Sequence, residues 1–232
     1  LAAAPWIVVR GNHEECARAG QGWWRLLDPH PLQAGRDCVD PASDAEGDHT
    51  PPYAVDLGGS ARLIVADLVG LANGKPKEDA ALRARYRADF ARISALTRGS
   101  RDNFVTAHYP FNAVIWGKDG SVEVGTKPVA AFAPLDLAGV RAMFAGHVHF
   151  FQYAHAAGQP VQVVTGFSGT AEDPPRAPAS LADVRGKAGA DKLRALTTIE
   201  NRFGYALLER KKQGWRLTAF AADGATLGRF AL

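Results

Sequence analysis

The 232-residue sequence predicts an α/β fold whose final strands run antiparallel. Three observations carry that expectation. Short apolar β-branched runs alternate with one strongly periodic helical stretch, no internal repeat or interdomain linker interrupts them, and hairpin turn signals punctuate the final stretch from Tyr205 to Leu232. Composition agrees, because 47% hydrophobic and 22% charged residues match a globular chain and exclude collagen-like and disordered classes. The net charge of +3 is too small to indicate nucleic acid by itself. No apolar run reaches the length of about 18 to 20 residues needed to span a bilayer.

Taken in order, Trp6 to Val9 reads as a short buried strand that ends in the polar cluster Gly11, Asn12, His13 and Glu14. Tyr53 to Gly58 and Arg62 to Leu71 read as two further strands joined by a Gly-Gly-Ser turn. Between Glu78 and Arg98, Leu82, Tyr86, Phe90, Ile93 and Leu96 recur at helical spacing, with acids at the start and Arg98 at the end. The other face carries Arg83, Arg85, Arg87 and Arg92, which read as a solvated face rather than a phosphate site. Three runs then end in polar or glycine residues: "NFVTAHYP", "RAMFAGHVHFFQYAH" and "PVQVVTGFSGT". Residues 168 to 196 read as an irregular excursion with room for a short helix. Beyond them, strands are joined by turns at Gln213-Gly214 and Asp223-Gly224.

Four of the seven histidines share one setting. His13, His108, His147 and His149 each follow a strand-like run, and the carboxyl ends of neighbouring parallel strands converge on one sheet edge. A lone histidine there would be an ordinary core residue; four suggest metal ligation. The Asn12 amide oxygen adds a harder donor that suits zinc, manganese or iron. Gly146 permits a turn that brings His147 and His149 to one ion or to two adjacent ions.

"GNHE" at Gly11 to Glu14, "AHYP" around His108 and "GHVH" at Gly146 to His149 resemble the last three signature blocks of the calcineurin-like metallophosphoesterases. The resemblance spans about residues 6 to 170. It implies a two-sheet β-sandwich flanked by helices, with a dinuclear centre of two divalent metal ions held by loops. Carried over by motif, Asn12, His108 and His147 would ligate one ion and His149 the other. His13 would be the catalytic residue beside the phosphate, protonating the leaving oxygen or stabilising the transition state. The implied reaction is hydrolysis of phosphate mono- or diesters of small molecules through a metal-bound hydroxide. By the same resemblance, Glu14 would orient the turn.

The family pattern also has two earlier blocks, D-x-H and G-D-x-x-D or its Tyr variant, which do not precede Gly11. Asp28-Pro29-His30 and Gly47-Asp48-His49 match parts of them literally, but both follow GNHE in Pro-rich loop sequence and read as coincidences. The expectation is that residues 1–232 are the C-terminal portion of one catalytic domain, with the N-terminal part of its sheet missing. An inert domain retained for binding or structure is the alternative reading. Protein phosphatase is a weaker one, suggested by "RGNHE" and Cys16 but not by the GHVH block. Subfamily, substrate and oligomeric state stay open.

Cys16 and Cys38 form neither a zinc site nor a C-x-x-C motif. They are read as a disulfide, against the alternative of two buried thiols, and a disulfide favours a periplasmic or secreted location over a cytoplasmic one. Trp23 and Trp24 read as loop anchors rather than pocket walls. Asp67 sits inside an apolar run without a clear role. His30 and His155 read as surface residues. The acidic stretch from Asp37 to Asp48 lacks calcium-loop spacing.

Overall fold

The structure, a computed structural model, describes residues 4–32, 38, 49–70, 80–117, 119–124, 137–169 and 177–232. Two one-turn helices, α1 (Cys16–Ala19) and α2 (Gly22–Leu26), precede a hairpin of β1 (Tyr53–Gly58) and β2 (Ala61–Ala66). Helix α3 (Ala80–Leu96) leads to β3 (Asp102–Ala107), and a small hairpin of β4 (Val114–Trp116) and β5 (Val122–Val124) follows. Then come β6 (Val140–Ala145), β7 (Phe151–Ala156), β8 (Val161–Thr165) and β9 (Leu193–Ile199). The described chain closes with β10 (Gly204–Lys211), β11 (Gly214–Ala221) and β12 (Thr226–Ala231). None of its described helices is long and apolar enough to cross a membrane.

Seven strands form a mixed sheet in the order β1-β2-β3-β6-β8-β7-β9, and β10, β11 and β12 form a second, antiparallel sheet. Strands β2, β3, β6 and β8 run parallel to one another. Such strands are covered on both faces and so read as continuous apolar runs rather than alternating ones. All six residues of β3 are buried, and adjacent positions serve opposite layers. Val105 and Met143 pack with Tyr86, Phe90 and Ile93 of α3. Phe104 and Ala142 face the other way, against Leu217 and Ala219 of β11 and the flanking Trp215 and Phe230. The architecture is therefore helix on sheet on sheet, as the family resemblance implied.

The periodicity of α3 holds in space, because Tyr86, Phe90 and Ile93 are buried and Leu82 and Leu96 flank them. Arg87 and Arg92 on its other face are exposed, while Arg83 and Arg85 are half-buried. The β1 strand and the turn after it match expectation. Three readings need correction. Residues 5–10 join no sheet ladder among the described residues; Ile7 and Val9 instead line an apolar cavity of about 260 Å³ with Leu57, Leu63, Phe104, Phe144 and Leu208. Strand β2 stops at Ala66 rather than continuing to Leu71, because the Asp67 carboxylate captures the Val69 N–H at 2.9 Å and turns the chain. The expected irregular excursion contains the start of β9, which pairs antiparallel with β7, and its described part, 177–192, forms turns without a helix.

Two smaller adjustments concern turns. The β10–β11 turn is Lys212 and Gln213, one residue earlier than expected, since Lys211 pairs with Gly214. The long "RAMFAGHVHFFQYAH" run divides into β6 and β7 around the loop 146–150. Fully buried Phe104 meets the Trp215 ring edge-on at 4.9 Å and joins the two sheets. Phe104→Ala should therefore cost about 3–5 kcal/mol, measured by urea denaturation with the slope unchanged.

Candidate metal centre

The register of the parallel strands assembles the site. Ala66 pairs with Ala107, and Ala107 with Ala145, so the residues that follow, Asp67, His108 and Gly146, form one row at the carboxyl edge of the sheet. That is the edge where open α/β sheets place ligands. The backbone ties the row together, with the Gly146 N–H donating to the His108 carbonyl at 3.1 Å.

The turn at Gly11 to Glu14 lies against this row. Its Glu14 N–H donates to the Gly11 carbonyl at 3.0 Å, and the Gly11 N–H donates to the Glu14 carboxylate at 2.9 Å. The Glu14 side chain thus closes the turn. A Cβ on Gly11 would stand 2.8 Å from Glu14 Oε2 and 3.1 Å from His108 Nδ1. A side chain there would need the Glu14 carboxylate to move and the His108 ring to give by a few tenths of an ångström, so glycine lets the turn sit close on the imidazole.

Three donor atoms converge there. His108 Nε2 lies 2.8 Å from Asn12 Oδ1 and 3.2 Å from His147 Nδ1. Two ligands bound about 2.1 Å from one ion at right angles stand about 3.0 Å apart, so this spacing fits a shared divalent cation. His147 is exposed and adopts a left-handed backbone with φ of 65°, a conformation that costs energy for a non-glycine residue. Its ring packs against the Tyr109 ring at 4.1 Å between centroids. Burial lowers the His108 pKa to about 4, helped by His147, His13 and His149 and opposed by Asp67. Its ring is consequently neutral near pH 7, the form a metal ligand requires.

His13 is exposed and His149 half-buried, and both lie close enough to act on the charge of His108. Among the described residues, no three His, Cys, Asp or Glu side chains gather as a ligand set. The convergent set is instead two imidazoles and one amide oxygen.

The remaining residues singled out in the sequence have other partners. Asp28 pairs with His30 Nδ1 at 2.8 Å and accepts the Thr50 hydroxyl at 2.9 Å. His49 is buried and pairs with Asp89 of α3 at 2.8 Å. Gly47, Asp48 and the rest of the acidic stretch except Cys38 lie outside the described residues. Cys16 and Cys38 form a disulfide with Cα atoms 5.0 Å apart. Trp23 and Trp24 are buried beside it, and the Trp23 indole donates to Thr50 at 2.9 Å.

Sequence reasoning passed over one pair. Arg10, 1% exposed, meets the buried Asp67 carboxylate at 2.9 Å. The sequence shows only a charge at the end of one apolar run and another inside a second, with nothing that links them.

The GHVH loop is shaped by a contact from the residue that follows β8. A Cβ on Gly166 would fall 1.8 Å from the Val148 carbonyl oxygen, a distance no side chain tolerates. Gly166→Ala should displace residues 146–149 and cost about 1–3 kcal/mol, read as a lower Tm with shifted His147 and His149 ring resonances.

No curated protein matches the chain. A solved structure of purple acid phosphatase PPD1 from yellow lupin (Lupinus luteus) seeds aligns with 15% identity and a TM-score of 0.47. The alignment covers 77% of this chain and 32% of that one, so this chain spans about a third of that protein's length. The family model for calcineurin-like phosphoesterases matches residues 1–151. That is more than half of the sequence, and it includes the GNHE, AHYP and GHVH blocks. This chain belongs to the calcineurin-like phosphoesterase family.

Proposed function

We propose that residues 1–232 belong to the catalytic domain of a phosphoesterase that hydrolyses phosphate mono- or diesters of small molecules at a dinuclear centre of divalent ions. The observation that carries this reading is the convergence of Asn12 Oδ1, His108 Nε2 and His147 Nδ1 within 2.8 and 3.2 Å. Membership of the family supports the reaction class. The donor set of imidazole nitrogens and an amide oxygen suits manganese, zinc or iron.

Asn12, His108 and His147 would hold the first ion, and His149 would contribute to the second. Two ions bound there would neutralise charge on the phosphoryl oxygens and acidify an attacking water. His13 carries the proton delivered to the leaving oxygen, and its exposure leaves it open to substrate. Tyr109 steadies the His147 ring, and Glu14 keeps the turn closed so that Asn12 and His13 project from adjacent positions. The Cys16–Cys38 disulfide supports an oxidising location, periplasmic or secreted.

Elemental mass spectrometry on purified protein, paired with hydrolysis of p-nitrophenyl phosphate and bis-p-nitrophenyl phosphate, tests the proposal. About two ions per chain with turnover is the expected result; neither metal nor turnover would leave a catalytically inert domain. His147→Ala should lose an ion and reduce turnover by more than about 100-fold, the upper range reached by residues that only orient ligands. His30→Ala should retain both, because its ring is engaged by Asp28 outside the convergent set. Equal behaviour of the two variants would remove the ligand assignment.

A further inference from the structure

Arg10 is the largest fully buried side chain of the described residues, and the metal centre does not account for it. A buried ion pair is a costly way to gain stability, since both charges leave water. Its use therefore has to be sought in what it holds. Arg10 Nε and Nη2 both donate to the Glu14 carbonyl, at 3.3 and 3.1 Å, while Nη1 donates to Asp67 Oδ2 at 2.9 Å. The guanidinium lies 4.5 Å from the centroid of the Trp24 ring, against its face.

Asp67 is equally committed. Its Oδ2 also accepts the Thr50 N–H at 2.9 Å, and its Oδ1 accepts the Val69 N–H at 2.9 Å. It follows Ala66, which pairs with Ala107 just before His108. The pair thus connects the end of the Gly11–Glu14 turn to the backbone row that carries His108. We infer that Arg10 and Asp67 form a positioning clamp that sets Asn12 against His108, so that metal affinity depends on the clamp although neither residue touches the ion.

The planar fork matters as much as the charge. A guanidinium can serve the Glu14 carbonyl through two N–H groups and the carboxylate through a third while stacking on an indole. An ammonium at the same place keeps the charge but lacks the fixed fork. If Arg10 only balanced the Asp67 charge, Arg10→Lys would restore function; as a clamp, it does not.

This inference rests on the reading of Asn12, His108 and His147 as ligands, and the experiment separates the two. Three variants are compared with the unmodified chain below their melting temperatures. Arg10→Lys removes the fork, and the double variant Arg10→Met with Asp67→Asn removes both charges, leaving no unpaired buried ion if the single variant fails to fold. Ile93→Val, a truncation on the buried face of α3 with no contact to Arg10 or Asp67 in the core, reports the effect of lost stability alone. Cobalt(II) affinity is read from its visible absorption, and His108 ring geometry from imidazole ¹⁵N shifts without metal.

The expected result is a loss of cobalt affinity of about tenfold to 100-fold in both clamp variants, the range for residues that orient ligands. Altered His108 shifts should accompany it, with no change in either readout for Ile93→Val. Unmodified affinity and shifts in the folded clamp variants would overturn the inference, as would equal weakening in Ile93→Val. If the unmodified chain itself binds no cobalt, the ligand reading fails, and the metal-free shifts alone decide the clamp.

Discussion

Everything at the candidate centre depends on the in-register parallel pairing of β2, β3 and β6. Parallel strands side by side bring their carboxyl ends to one edge, and the chain must then leave the sheet through a loop. In this chain those exits are Asp67, His108 and the GHVH loop. A slip of one residue in the β3–β6 ladder would separate His108 from His147 and turn the apolar residues of β6 to opposite layers. The ladder is held on one side by α3 and on the other by the second sheet. Packing of both faces therefore underwrites the geometry of polar groups that contribute little to the core themselves.

The polar groups are arranged against that apolar background at some energetic cost. Burial holds the His108 ring neutral, with its pKa at about 4, and His147 occupies a left-handed backbone. Both conditions suit a site organised before a cation arrives, since protons need not be displaced from His108 and the His147 nitrogen already faces its neighbour. The Glu14 carboxylate, the Arg10 guanidinium and the Tyr109 ring each touch the surroundings of Asn12, His108 or His147 rather than the convergent donor atoms. Ligands oriented in this way bind metal more tightly than the same donors on a mobile loop, because less conformational freedom is lost on binding.

Legibility differed by kind of signal. Helix α3 was readable because its apolar residues recur at the spacing of an α-helix, and β3 because Phe104, Val105 and Thr106 are strand-forming residues, although the buried strand opens on the polar Asp102 and Asn103. The strand reading of residues 6–9 failed for the opposite reason, since a strand exists only with a neighbour to bond, and no partner ladder is present among the described residues. Likewise β9 was hidden in a stretch rich in Gly, Ala and Pro, and only its pairing with β7 reveals it. At the site, the histidines were conspicuous by their repeated position after apolar runs. Arg10 and Asp67 were not, because nothing local indicates that two charges far apart in sequence will meet.

By itself, then, the sequence determined the fold class and the family and offered a set of candidate metal donors, since periodicity and short motifs are local properties that survive without coordinates. The tertiary structure decided how those side chains meet: Asn12 against His108, His147 against Tyr109, and Arg10 on Asp67. Such meetings depend on strand register, on the close backbone approach that only glycine at Gly166 permits, and on the desolvation that packing imposes. Each is a property of distances between residues remote in the chain, and distance through space is what a linear pattern does not encode.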